Sequence, residues 1–140
     1  MGFNEDIIAE FRAHEGVVST MGFGASLVVV HLVGARSGQV REQPLMGLPS
    51  DDGGVLIIGS AGGSPKDPAW VHNLRAHPQV TIERRGEEGI IIEEVDAHEL
   101  GEDEWPDAWA RFTARSKGFD EYTQTAEGRR FPIFELVPRR

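Results

Sequence analysis

At 140 residues the chain has the length of one ordinary domain, enough to bury a core without disulfides or a structural metal. It contains no cysteine, which excludes disulfides, thiolate metal sites and cysteine nucleophiles together. A formal net charge of −9 argues against generic nucleic-acid binding, which depends on neutralising phosphates with Lys and Arg.

The start, MGFNEDIIAEF, lacks the basic region and long apolar run of a signal peptide. No stretch approaches the roughly twenty apolar residues of a membrane span, so a soluble, cytoplasmic protein is expected. Ile7, Ile8 and Phe11 recur at helical spacing over Phe3 to about His14, with Asn4 as N-cap and Glu15-Gly16 as the stop. Such an amphipathic helix is compatible with peripheral membrane contact, although Glu5, Asp6, Glu10 and Glu15 on its polar side would be repelled by anionic lipid.

LVVVHLV after the glycine-rich MGFGAS reads as a strand buried on both sides, ending at Gly34. A turn around Ser37-Gly38 leads to QPLMGL, where Pro44 marks an edge strand or a strand start. SDDGG is a hairpin turn before the strand VLIIGSA. Asp67 and Pro68 open a helix that Pro78 closes, with Trp70, Asn73 and Leu74 on one face. QVTIERR and IIIEEVDAHEL form a hairpin around RGEEG. Trp105, Ala108, Trp109 and Phe112 mark another helix, Phe119 to about Ala126 a shorter one, and RRFPIFELV a final strand. About six strands and four helices or helical turns, mostly in antiparallel connection, predict a small α+β barrel rather than a Rossmann sheet. With no repeat or linker, residues 1–140 read as a single domain.

Charge is uneven. From Gly34 to Pro78 the cations Arg36, Arg41, Lys66 and Arg75 balance Glu42, Asp51, Asp52 and Asp67, leaving 10 basic against 19 acidic residues elsewhere. Gly59-Ser60-Ala61-Gly62-Gly63 lies between a strand and a helix, where backbone N–H groups can meet an anion, though without Walker or dinucleotide spacing. Arg36, Arg41 and Lys66 supply donors of the kind phosphates and carboxylates need. Taken singly, these features are better explained by a flexible turn, scattered solvated charge and a core tryptophan beside a surface amide. His31 within an apolar strand reads as a hydrogen-bonded core histidine. No HExxH or clustered His, Asp and Glu spacing indicates a metal, and no GxSxG elbow indicates a hydrolase.

In order, GARSGQVREQPL, GSAGG, PAWVHNLRAHPQV and GFDEYTQTAEGRRFPIFEL resemble the deazaflavin-dependent nitroreductase family, whose members look like GRKSGxPRxxPL, SKGG and PxWxxNLxAxPxV. The similarity spans about Phe3 to Pro138. It implies a split β-barrel of the flavin-reductase type holding coenzyme F-420, an 8-hydroxy-5-deazaflavin whose tail carries a phosphodiester and several glutamates. On that resemblance Arg36, Ser37 and Arg41 would hold the phosphate and tail, and Pro44 and Ser60 would border the site. Gly62 and Gly63 would admit the cofactor closely, Lys66 would reinforce tail binding, and Ala69, Trp70 and Asn73 would lie beside the tail.

Tyr122, the single tyrosine of the chain, matches a substrate-side tyrosine of the family and would donate a hydrogen bond to the acceptor. Ala35 and Ala61 stand where relatives often carry basic residues. Ser116 and Phe119 replace further aromatics, and Met46 is expected at a strand position facing the pocket. The implied reaction is hydride transfer from reduced F-420 to a small conjugated, quinone-like or nitroaromatic acceptor. A non-catalytic deazaflavin carrier, or a split barrel holding FMN or haem, is the alternative. A homodimer is compatible with the exposed hairpin edges.

Overall fold

The computed structural model describes residues 3–18, 26–35, 37–50, 53–59, 69–115 and 131–139. The elements are α1 (Phe3–Ala13), β1 (Leu27–Val33), β2 (Val40–Met46), β3 (Leu48–Pro49), β4 (Val55–Ile58), α2 (Ala69–Ala76), β5 (Gln79–Gly86), β6 (Gly89–Glu99), α3 (Trp105–Arg115) and β7 (Ile133–Pro138). The expected helix over Phe119 to Ala126 falls outside the described residues.

The strands form one sheet in the order β2-β1-β5-β6-β7-β4-β3, and every pairing among the described residues is antiparallel. Its two edge strands, β2 and β3, are consecutive in the chain and separated by Gly47 alone. A sheet whose opposite edges are joined by one residue has to curl on itself. The result is a split β-barrel of seven strands, one more than expected, because the segment read as a single strand divides at Gly47 between the two edges. Pro44 sits within β2, where edge position leaves its missing N–H without cost to an interior ladder.

Gly47 is where the barrel closes. Its N–H donates to the Ser26 carbonyl at 2.7 Å. A Cβ there would lie 2.5 Å from Val55 Cγ1 and 2.6 Å from Val28 Cγ2. Gly47→Ala is therefore expected to destabilise the fold by about 1–3 kcal/mol, read as a lower midpoint in urea unfolding; an unchanged midpoint would mean that the closure can open without loss.

Strand alternation sorts the apolar residues into layers. Val28, Val30 and Leu32 of β1 meet Val55 and Ile57 of β4, Val80 and Ile82 of β5, Val95 of β6 and Phe134 and Leu136 of β7, with Trp70, Val71 and Leu74 of α2 completing the cluster. Leu27 and Val29, on the other face of β1, lie under Ile7, Ile8 and Phe11 of α1. That double coverage accounts for the continuous apolar run of β1. On the outer side of β4 and β7, Leu56, Ile58 and Ile133 pack with Ala108 and Phe112 of α3. Trp105 donates from Nε1 to the Phe131 carbonyl at 2.7 Å, tying the entry of β7 to α3.

The apolar face of α1 is thus spent on the sheet: Phe11 is fully buried. Membrane contact through this face would require α1 to leave the barrel. Among the described residues no helix is long and apolar enough to cross a membrane. Helix α1 ends as expected, with Glu15 and Gly16 at positive φ and the Gly16 N–H donating to the Phe11 carbonyl at 2.8 Å.

Candidate functional site

The β1–β2 connection carries the first expected motif. Gly34 N–H donates to Gln39 O at 2.8 Å, Gly38 N–H to Gly34 O at 3.0 Å, and Gln39 N–H to Ser37 Oγ at 3.2 Å. Gly38 has φ of 70°, which a side chain would strain. Across the gap to α2, the Ala35 N–H donates to Asn73 Oδ1 at 3.0 Å. The backbone donors of Gly34, Ala35, Gly38 and Gln39 are therefore engaged within the protein. An anion at this turn would be met chiefly by side chains, not by a nest of these amides.

Between the turn and α2 runs a groove of about 410 Å³ lined by Gly34, Ala35, Ser37, Arg41, Ala69, His72 and Asn73. Four of these, Ser37, Arg41, Ala69 and Asn73, are residues that the sequence places at the cofactor. None of the described lining residues is acidic. Three other grooves contain carboxylates: Asp103, Glu104, Asp107 and Glu135 in one, Glu87 and Glu88 in another, Glu10 and Glu15 in the third. Arg41 has no carboxylate partner among the described residues, whereas Arg12, Arg75, Arg84, Arg85 and Arg139 are all ion-paired. An arginine without a carboxylate partner, over a groove without a carboxylate among the described residues, suits an anionic ligand in a chain of charge −9.

Pro44 and Trp70 do not line this groove. Pro44 pairs with Val29 and is buried on the α1 side, because strand alternation sends its ring to the face opposite Arg41. Trp70 is buried in the barrel cluster, its ring 6.0 Å from that of Phe134, so it supports α2 from beneath rather than walling the site. Met46 likewise packs toward the α3 side. Arg36, Ser60, Gly62, Gly63, Lys66 and Tyr122 lie outside the described residues, as do Ala61, Ser116 and Phe119.

On the opposite face of the β1–β2 pair is a charge cluster that the sequence reading missed. Arg12 of α1 donates through Nη2 and Nε to both oxygens of Glu83, at 2.7 and 3.2 Å, and also to Glu42. His31 Nε2 lies 2.7 Å from Glu83 Oε2 and 3.8 Å from Glu42 Oε2. Glu83 is only 5% exposed. The Arg12 hydrogen bonds hold its carboxyl below the usual carboxylate range, against the opposing effect of burial. His31, Glu42 and Glu83 have donor atoms within 4.8 Å of one another, as a metal would need, but the guanidinium of Arg12 already supplies the cation. The cluster fastens α1 to the sheet. Glu42 lies on that face, and strand alternation puts the adjacent Arg41 on the other, toward the groove. His31 within an otherwise apolar strand run and Glu83 within a strand, with Arg12 near the end of α1, were the available signal.

On the cation side of α2, Arg75 donates to both oxygens of Glu99 at 2.8 and 2.7 Å, which lowers the Glu99 pKa and joins α2 to β6. Both walls of the groove are thereby braced by ion pairs that face away from it.

A model of the family described as F-420H(2)-dependent quinone reductase matches residues 6–138. The chain is 40% identical over 55 residues to an F-420H(2)-dependent quinone reductase of Mycobacterium tuberculosis, a match covering 39% of this chain and 36% of that relative. The solved structure of an F-420-H2 dependent reductase, FDR-A, superimposes with a TM-score of 0.67 at 29% identity, covering 79% of this chain and 93% of the other. A structure described as a domain-swapped dimer gives a TM-score of 0.69 at 27% identity, over 94% and 92% of the two chains. The deazaflavin expectation agrees with these findings; the family's description names quinone reductase, one of the expected reactions, and not nitroreductase, the expected family name. With nearly the whole chain matched, this protein belongs to the F-420H(2)-dependent quinone reductase family, whose cofactor is coenzyme F-420.

Proposed function

We propose that this chain is a reductase that passes hydride from reduced F-420 to a small quinone-like or otherwise conjugated acceptor, nitroaromatics being a further class to test. The observation that carries the reading is that, among the described residues, the groove has no carboxylate and Arg41 has no ion-pair partner, which fits the phosphodiester and glutamates of the cofactor tail. Bound there, the deazaflavin supplies the hydride. The residues of the chain bind and orient it.

Arg41 donates to the tail, and Ser37 keeps a hydroxyl proton free to do the same while its oxygen accepts from Gln39. Asn73 holds the turn through Oδ1 and has its amide protons left for the ligand. Ala69 leaves room beside them. We assign Arg36, Ser60, Gly62, Gly63 and Lys66 to the same cofactor on the family resemblance, and Tyr122 to the acceptor side. A cytoplasmic protein of one domain, acting on a small molecule, accords with the acidic charge. Homodimer formation is part of the reading, supported by the dimeric description of one structural neighbour.

Titration with oxidised F-420, FMN and NADP in parallel tests the assignment. Preferential binding of F-420 is expected, followed by oxidation of the reduced cofactor on addition of a quinone. Preferential binding of FMN would overturn the cofactor, and tight F-420 binding without turnover by any quinone, enone or nitroaromatic would overturn the reductase activity.

A further inference from the structure

Within that F-420 reading, we infer that His72 is a second anion contact of the groove, acting beside Arg41 and only when its imidazole is protonated. His72 lies on α2 next to Asn73 and lines the same wall as Ser37 and Arg41. Its position differs from that of other histidines. His31 and His98 lie within hydrogen-bond distance of Glu83 and Glu104, and His14 shares a groove with Glu10 and Glu15. Those imidazoles face negative charge that the protein supplies itself. Among the described residues no carboxylate lines the groove of His72, and a protonated His72 there is placed to meet the negative charge of a ligand.

Among the described residues the groups around it are few. Across the groove stand Arg41 of β2 and Ser37 of the turn; on α2 itself are Ala69 and Asn73. Arg75, one turn further along α2, is occupied by Glu99. An anion lying along this wall is therefore met by Arg41 and, whenever its imidazole carries a proton, by His72. Because the bound anion favours the charged imidazole, binding takes up protons, and affinity rises as pH falls. The interaction is exposed, so its size is that of a surface ion pair: roughly a three- to fivefold change in affinity.

Calorimetric titration with oxidised F-420 at roughly pH 6 and pH 8, in two buffers of different ionisation enthalpy, tests this. The same titration is run with the deazaflavin chromophore lacking its phosphodiester tail. The wild-type chain is expected to bind F-420 more tightly at the lower pH with net proton uptake, and to show neither effect with the tail-less chromophore. His72→Gln, neutral at both pH values, is expected to hold the alkaline affinity throughout and to lose the uptake. An unchanged pH dependence in His72→Gln overturns the assignment. So does equal uptake with the tail-less chromophore in the wild type, which needs no variant and places the proton on the ring system. Absence of F-420 binding at either pH instead removes the cofactor reading itself.

Discussion

Replacing Arg41 by alanine is expected to weaken binding of oxidised F-420 about ten- to a hundredfold, the equivalent of roughly 1.5–3 kcal/mol for a hydrogen bond to a charged group. The melting temperature should scarcely move. Arg41 is exposed at the start of an edge strand and has no carboxylate partner among the described residues, so nothing within the fold loses a counter-charge. Arg41→Lys should fall between the two, since lysine keeps the charge and loses the paired donors that suit a phosphodiester or carboxylate. Arg75→Ala is the matching control on the other wall. It breaks an exposed pair with Glu99 and should change cofactor affinity far less. Absorbance or fluorescence titration of the three variants, with thermal melts alongside, decides the matter: wild-type affinity in Arg41→Ala would remove the groove as the tail site.

Glu83→Gln should strongly destabilise the fold. Glu83 is buried, and its carboxylate binds Arg12 through both oxygens while meeting His31. Loss of one partner of such a pair costs about 3–5 kcal/mol when both are buried. Arg12 is 43% exposed at its side chain and keeps Glu42, so about 2–3 kcal/mol is the expectation here. The effect should depend on pH in a stated direction. Arg12 depresses the folded-state pKa of Glu83 below its unfolded value, so the stabilisation is complete above the unfolded carboxylate value of about 4.3 and is lost as pH falls through the lower folded value.

Urea unfolding of wild type and Glu83→Gln from neutral pH into that acid range checks both points. The two curves should converge on acidification. A gap that stays constant would assign the loss to packing instead of charge. Since the cluster fastens α1 and orients β2, some weakening of cofactor binding should accompany the destabilisation, smaller than in Arg41→Ala.

LVVVHLV announced a strand covered on both faces, and the structure covers it with α1 on one side and the barrel interior on the other. Glu15-Gly16 ended α1 where expected, because positive φ is a local property that glycine makes cheap. The hairpin from Gln79 to Glu99 and the α3 periodicity were equally legible, since both depend on neighbours within a few residues. Gly47 was not. Its significance lies in the meeting of Val28 and Val55, which are 27 residues apart.

The same division runs through the site. Sequence by itself established the antiparallel α+β class, the turn at Ser37-Gly38, the helix bearing Asn73, and, through the order of short motifs, the deazaflavin family. These rest on local backbone preference and on linear spacing, both of which a sequence carries directly. Only the tertiary structure decided which members of the motifs face one groove. It turned Pro44 and Trp70 into the packed layers, joined Asn73 to Ala35 across 38 positions, and added His72 to the wall. It also assembled Arg12, His31, Glu42 and Glu83 from three strands and a helix into one cluster. Facing depends on strand register and on how the sheet closes, and those are set by long-range packing that linear spacing does not encode.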